Sequence, residues 1–278
     1  MTFHAPDGTV LAEALGAGGF FDVALVRDGD ALLVCKRLAP RMLREPDGRA
    51  SLVREAELLA AVRHAALPML VRVGADAQGP FVLETYAEGV SLRALSDRWA
   101  ERSGPVPPSL FAHVAQAAAE ALADLADLAD AAGPLGFVHG DLGPDHLIFG
   151  PIGEVRVIDL GASRFRDMRA LPSPAERGTL PYVAPEIARG EAPPSAAGDV
   201  YSLAATLLFL ATGAPPCHAR DEAARLVEIG ERGVRVDAID SVPWIGRRSR
   251  DALRAALAFD PTTRLSRARD LASALAPA

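Results

Sequence analysis

His139-Gly140-Asp141-Leu142-Gly143-Pro144-Asp145-His146-Leu147-Ile148-Phe149 is the stretch whose reading decides the fold. It sets a carboxylate, Asp141, between two imidazoles, with glycines at 140 and 143. One such stretch can arise by chance, so its neighbours must agree with it. Upstream lie Leu15-Gly16-Ala17-Gly18-Gly19-Phe20-Phe21-Asp22-Val23, then Val34-Cys35-Lys36, then Arg54-Glu55-Ala56-Glu57-Leu58-Leu59. Downstream lie Asp159-Leu160-Gly161, Gly178-Thr179-Leu180-Pro181-Tyr182-Val183-Ala184-Pro185-Glu186, Asp199-Val200-Tyr201-Ser202-Leu203 and Asp260-Pro261-Thr262-Thr263-Arg264. Several blocks suit a polyanion. Gly16 and Gly18 let backbone N–H groups come close to phosphate oxygens. Lys36 is a cation on a strand, and Asp159 offers the carboxylate oxygen that a hard divalent ion prefers.

In this order and spacing the blocks resemble the protein kinase superfamily in its bacterial Ser/Thr form, over about residues 9 to 275. The resemblance implies an α+β, two-lobed protein-kinase-like fold. A small five-stranded antiparallel sheet with one helix would precede a larger, mainly helical lobe. It implies a single domain over residues 1–277, with lobes at 9–86 and 87–277. By the same resemblance Asp141 is the base, Lys36 the phosphate clamp and Glu55 its partner. Gly16, Gly18, Val23, Val34, Lys36, Thr85, Tyr86 and Ile148 would contact ATP, and Asp159 would hold Mg2+ or Mn2+. Thr179 would hydrogen-bond Asp141 and favour Ser/Thr substrates. Glu186 and Arg264 would form a structural ion pair, and Asp199 would brace the catalytic loop.

The catalytic loop departs from the family pattern His-Arg-Asp-Leu-Lys-Pro-x-Asn at three places. Gly140 replaces the Arg that reads activation-loop phosphorylation, so switching of that kind is not expected. Gly143 replaces a Lys that stabilises the transferring group; losing one such contact costs about 2.7–4 kcal/mol. His146 replaces the metal-binding Asn. It can ligate a softer metal, hydrogen-bond Asp141 or only fill the site. Phe21 stands at the third glycine of the phosphate loop, and Val34 where the family has a small Ala. The residue at the back of the nucleotide pocket is either Glu84 or Leu83, depending on a one-residue shift, and a carboxylate there is costly to bury unpaired.

Three functions are compatible with these residues. The first is a slow, atypical Ser/Thr protein kinase that retains Lys36, Glu55, Asp141 and Asp159. The second is a pseudokinase that regulates a partner protein. The third is a small-molecule phosphotransferase of the aminoglycoside type, whose loop His139-Gly140-Asp141 also resembles. The segment from Thr179 to Glu186, with Arg264, speaks for a peptide substrate. Ser163 and Ser173 are candidate phosphosites.

Composition sets outer limits. The 278 residues suit one kinase-sized unit, and at 50% apolar the chain has ample core material. A net charge of −7 excludes a general attraction to nucleic acid or anionic membrane. The two cysteines, Cys35 and Cys217, have no disulfide or metal spacing, which favours a reducing, cytoplasmic setting. No leader is visible. The longest apolar stretch, Leu203 to Ala211, is far short of the ~20 residues of a membrane helix and reads as a core helix. The oligomeric state is not legible.

Alternation and punctuation place the elements. Strands are expected at Val10–Leu15, Phe20–Arg27, Ala31–Leu38, Val71–Val73, Phe81–Leu83 and Val155–Ile158. Asp28-Gly29-Asp30 reads as a hairpin turn and Pro40–Gly48 as a loop. A helix capped by Ser51 should run to about His64. Others are expected at Ser91–Arg102, from Ser109 to about Ala132, and at Asp199–Ala211, Asp221–Ile229, Ser249–Leu257 and Ala268–Leu275. Arg164–Pro181 reads as a mobile activation loop.

Overall fold

A computed structural model describes residues 3–17, 21–102, 104–166, 168 and 179–276. Gly18 and Ser173, two of the residues singled out above, lie outside the described residues, as does much of the expected activation loop. The chain forms two compact units that divide between Ala87 and Glu88.

The first unit is built on antiparallel strands β1 (Val10–Ala17), β2 (Phe21–Asp28) and β3 (Ala31–Leu38). Helix α1 (Pro46–Ala61) follows, then β4 (Leu70–Asp76) and β5 (Gly79–Thr85). The sheet order is β1-β2-β3-β5-β4. Asp28 pairs with Ala31, leaving a two-residue turn in which Gly29 takes φ +57°. A glycine at that first central position gives a twist that matches the flanking strands.

Successive side chains point to opposite faces of a strand, and both faces of this sheet are covered. Val26, Leu33, Cys35, Phe81 and Leu83 bury one face, with Phe3 and Ala5 packed on it. Phe21, Leu38 and Val82 bury the other against Leu52 and Ala56 of α1. Arg37 ties down the N-terminal segment: its Nε donates to the His4 carbonyl at 2.9 Å while its Nη1 bonds Asp76 at 2.9 Å.

The second unit begins with β6 (Val90–Ser91), α2 (Leu92–Arg102) and α3 (Pro108–Ala126). The short strands β7 (Ala129–Asp130), β8 (Gly133–Pro134), β9 (Leu147–Phe149) and β10 (Val155–Val157) follow. Then come α4 (Pro185–Ala188), α5 (Ala196–Thr212), α6 (Glu222–Arg232), α7 (Arg247–Ala256) and α8 (Ala268–Leu275). β6, β9 and β10 form a small sheet with β9 central, which carries the loop between Pro134 and Leu147 up to a fixed frame. Helix α5 is buried without a break from Gly198 to Ala211, so the apolar run in the sequence is the central core helix. Ser195 starts it by accepting the Gly198 N–H at 3.0 Å, and Gly213 ends it.

Three expected helix boundaries are corrected. Helix α1 starts at Pro46, not Ser51; Pro46 takes the first helical position, where a missing N–H costs nothing. Ser51 is buried inside the helix and caps nothing. Ser109 is likewise not a cap, because α3 starts at Pro108, again with a proline first. That helix stops at Ala126 rather than near Ala132, and Asp127 onward turns into the hairpin of β7 and β8.

Candidate active site

In the first unit the chemistry gathers around Lys36. The pairing of β3 with β5 sets Lys36 opposite Val82 and Val34 opposite Glu84. Residues directly opposite share a face, so Lys36 and Glu84 both stand on the α1 side of the sheet. Leu83 lies on the other side, in the cluster with Cys35. The choice between Glu84 and Leu83 is thereby resolved: Glu84 is the residue on the lysine's face. Helix α1 brings Glu55 to the same point. The Lys36 ammonium donates to Glu55 Oε1 and lies 3.2 Å from Glu84 Oε1. All three are interior, with exposures of 5% for Lys36, 0% for Glu55 and 2% for Glu84. Lys36 is also the only lysine in the sequence; the other 28 of its 29 basic residues are arginine.

The remaining nucleotide candidates of this unit are distributed along the sheet. Gly16 pairs with Val23 beside an irregularity in β1, and Val23 packs on the α1 side. Thr85 Oγ1 accepts the Met69 N–H at 2.9 Å, so its side chain secures the edge strand. Tyr86 follows it, and Ala87 separates it from the division between the units.

In the second unit Asp199, near the start of α5, anchors the backbone just before Asp141. Its carboxylate accepts the N–H of His139 at 2.7 Å and that of Gly140 at 2.9 Å. Burial pushes this carboxyl up to about 7 against those two hydrogen bonds. The buried His139 ring accepts the Asp141 N–H at Nδ1 (3.2 Å), which leaves its Nε2–H to donate to the Ile158 carbonyl (3.1 Å). Gly140 has φ +81°, and a Cβ there would meet the Ala162 carbonyl oxygen at 2.9 Å. An arginine is therefore absent and would also be strained by the backbone shape.

Asp141 is held from two sides. The Thr179 hydroxyl donates to Oδ1 at 2.5 Å, and His146 Nδ1 donates to the Asp141 backbone carbonyl at 2.6 Å. Burial raises the Asp141 pKa, outweighing the pull of His146 and Thr179. A carboxylate raised in this way is a better proton acceptor near neutral pH. His146 Nε2 faces Asp159 Oδ2 at 3.5 Å. Burial lowers the pKa of this imidazole, but Asp141 and Asp159 together outweigh it and the net shift is upward. Asp159 is the one non-glycine with positive φ, +65°, among the described residues, a strained backbone of the sort that collects at functional sites. Ile148, the last nucleotide candidate, is buried in β9.

A hard divalent ion is usually held by one or two carboxylates together with substrate phosphates and water. The residues fit that pattern. Asp159 offers a carboxylate that is 40% exposed. Among the described residues no cluster of three or more ligands forms a cage for a metal alone.

Arg264 meets Glu186 in a two-pronged pair, Nη1–Oε1 at 2.7 Å and Nη2–Oε2 at 2.9 Å, with its plane over Tyr201. Sequence reasoning missed Arg93. From α2 it binds Asp145 at 3.1 Å and the Tyr182 hydroxyl at 3.1 Å, and it lies over the Phe209 ring. Its partners are far away in sequence, so no local pattern marks it.

Comparison with known proteins decides the family. The family model of the protein kinase domain matches residues 10–275. The chain belongs to the protein kinase family. It is 30% identical over 221 residues to the serine/threonine-protein kinase PknB of Mycobacterium leprae, covering 77% of this chain and 34% of that protein. It is 28% identical over 265 residues to the serine/threonine-protein kinase AfsK of Streptomyces griseus, covering 95% and 31%. To the probable serine/threonine-protein kinase PkwA of Thermomonospora curvata it is 32% identical over 209 residues, covering 74% and 26%. The chain thus spans about a third of the length of the curated relatives it matches. The fold of the family, a five-stranded antiparallel sheet lobe followed by a helical lobe, is the fold described above. Among the described residues no helix is long and apolar enough to cross a membrane.

Proposed function

We propose that this kinase-family chain is an atypical Ser/Thr protein kinase that moves the γ-phosphoryl group of ATP to a protein hydroxyl, slowly. The observation that carries the reading is the grip on Asp141: a threonine hydroxyl on Oδ1, an imidazole on its carbonyl, and a loop backbone anchored by Asp199. A general base must be held in place, and this one is. ATP would supply the phosphoryl group, and Mg2+ or Mn2+ would neutralise the charge that develops on it. Asp159 would hold the ion and Lys36 the phosphates. The substrate oxygen forms its bond to phosphorus while the bond to the ADP oxygen breaks, and ADP leaves with that electron pair. Asp141 takes up the hydroxyl proton.

Retention of one lysine in a chain that otherwise uses arginine supports a working clamp. Arginine's planar fork does not replace a compact ammonium with three rotatable donors. The thiols of Cys35 and Cys217 are free and buried, which suits a reducing, cytoplasmic setting. The relatives named as Ser/Thr kinases and the Thr179 contact support a protein Ser or Thr as acceptor.

A pseudokinase reading is favoured by a different observation. His146 stands between Asp141 and Asp159, 3.7 Å and 3.5 Å from their carboxylate oxygens, where a protonated ring would take the place of a metal ion. The two readings separate in one assay. The kinase reading expects ATP-dependent phosphorylation of protein hydroxyls that Asp141→Asn abolishes. The pseudokinase reading expects none, and a partner-dependent function that Asp141→Asn leaves intact.

A further inference from the structure

Lys36 is held from two different elements, and the two differ in how firmly they are tied to it. Glu55 rides on α1, which meets the sheet through side-chain packing by Leu52 and Ala56. Glu84 is carried by β5, the hydrogen-bonded neighbour of β3, in an unbroken register from Leu33↔Thr85 to Arg37↔Phe81. A helix packed on a sheet can slide or tilt at modest cost. A strand cannot slip by one residue within a paired sheet without exchanging its two faces, and any slip breaks the whole ladder of hydrogen bonds. The Glu84 carboxylate, 2% exposed and 3.2 Å from the ammonium, therefore keeps its place relative to Lys36 whatever α1 does.

We propose that Glu84 is a positioning residue, a sheet-borne second anchor that keeps Lys36 oriented toward phosphate independently of Glu55 and of the placement of α1. The proposal rests on the kinase reading for its functional consequence, but the anchoring itself does not. Two carboxylates around one ammonium also explain the side chain at 36. The gap between them suits a compact charge with three donors and not a planar guanidinium. The consequence is regulatory: displacement of α1, by a partner or by loss of Glu55, leaves the clamp in place.

The test uses Glu55→Gln, Glu84→Gln and the double variant. Apart from the α-amino group, Lys36 is the only primary amine in the sequence, so an amine-reactive ester reports on it alone by mass spectrometry. Acylation of Lys36 is expected to be slow in the wild type and within about threefold of that in each single variant. In the double variant it should be at least about tenfold faster, beyond the product of the single effects. The proposal is overturned if the double variant reacts no faster than Glu55→Gln.

Phosphotransfer gives the second readout. Glu55→Gln should lower kcat without abolishing turnover, and adding Glu84→Gln should lower it by more than about a further tenfold. Loss of all turnover in Glu55→Gln with Lys36 still protected from acylation would also sink it. Should Glu84→Gln fold poorly, Glu84→Leu, an apolar replacement for a buried carboxylate, takes its place. A folded wild type that neither binds nor turns over ATP defeats the kinase reading, while the acylation series still decides whether Glu84 anchors Lys36.

Discussion

Lys36 and Asp141 each sit inside a small ion cluster, and the clusters set what single changes will do. Lys36→Met removes the ammonium that pairs with both Glu55 and Glu84 and leaves the two buried carboxylates without it. Breaking a buried pair costs about 3–5 kcal/mol, so urea melts should show at least that loss. Lys36→Met with Glu84→Leu should recover part of it, because one of the two buried carboxylates is gone. Around Asp141 the loop departures are coupled through Thr179. A Cβ at 143 would lie 3.3 Å from Thr179 Cβ and Cγ2, the residue that holds Asp141. Restoring the family residues with Gly143→Lys and His146→Asn should therefore raise kcat only modestly. Adding Thr179→Ser, which deletes the crowding methyl and keeps the hydroxyl, should raise it further. Steady-state kinetics of the double and triple variants check this; a triple variant slower than the double would contradict it. The residues of the two clusters were mostly legible from motif spacing, since Lys36, Glu55, Asp141, Asp159 and Thr179 stand in ordered blocks. Glu84 was not, because its face depends on the β3–β5 register, which is set by pairing between distant segments.

At the scale of elements, the loop that carries Asp141 is clipped to α5 by Asp199 through the His139 and Gly140 N–H groups. Gly140→Arg, meant to restore the missing arginine, should instead destabilise the fold by about 1–3 kcal/mol. The backbone at 140 is left-handed and the Ala162 carbonyl fills the side-chain direction. A thermal melt measures it, and an unchanged midpoint would show that the loop can refold around the side chain. The loop also gives a pH signature. Asp141, His146 and Asp199 all have raised pKa values in the folded state, Asp199 to about 7. Each binds its proton more tightly folded than unfolded. Their stabilisation is complete below the unfolded pKa values and is lost as pH rises through the folded ones. Stability should therefore fall from pH 6 to pH 8 in denaturant melts, and His146→Asn and Asp199→Asn should each flatten that slope. A rise over the same range would contradict the assignment. Element boundaries were the least legible feature. Pro46 and Gly48 made the first turn of α1 look like loop, and the Leu-Ala-Asp repeat of 122–130 kept a helical composition past Asp127, where the chain turns back. Composition does not report where a helix loses its packing partner.

For the whole molecule, the order of blocks along the chain determined the architecture before any coordinate, because a kinase fold needs its pieces in one sequence. Alternating strands gave the sheet and the apolar run gave the central helix α5. The far-reaching ties that finish the second unit, Arg264 on Glu186 and Arg93 on Asp145 and Tyr182, hold the segment from Thr179 to Glu186 and the loop carrying Asp145 to the helices. Arg264→Met should lower stability by about 3 kcal/mol or more, since it strands Glu186 in the interior. It should lower kcat along with it, because Thr179 belongs to the same segment as Glu186. The measurement that tests the account most directly is transfer of labelled γ-phosphate from ATP to a Ser- and Thr-containing protein substrate, with Mg2+ and with Mn2+, by the wild type and by Asp141→Asn. Slow incorporation by the wild type and its loss in Asp141→Asn are expected. No incorporation by folded wild type with either ion, or incorporation that survives in Asp141→Asn, would contradict it.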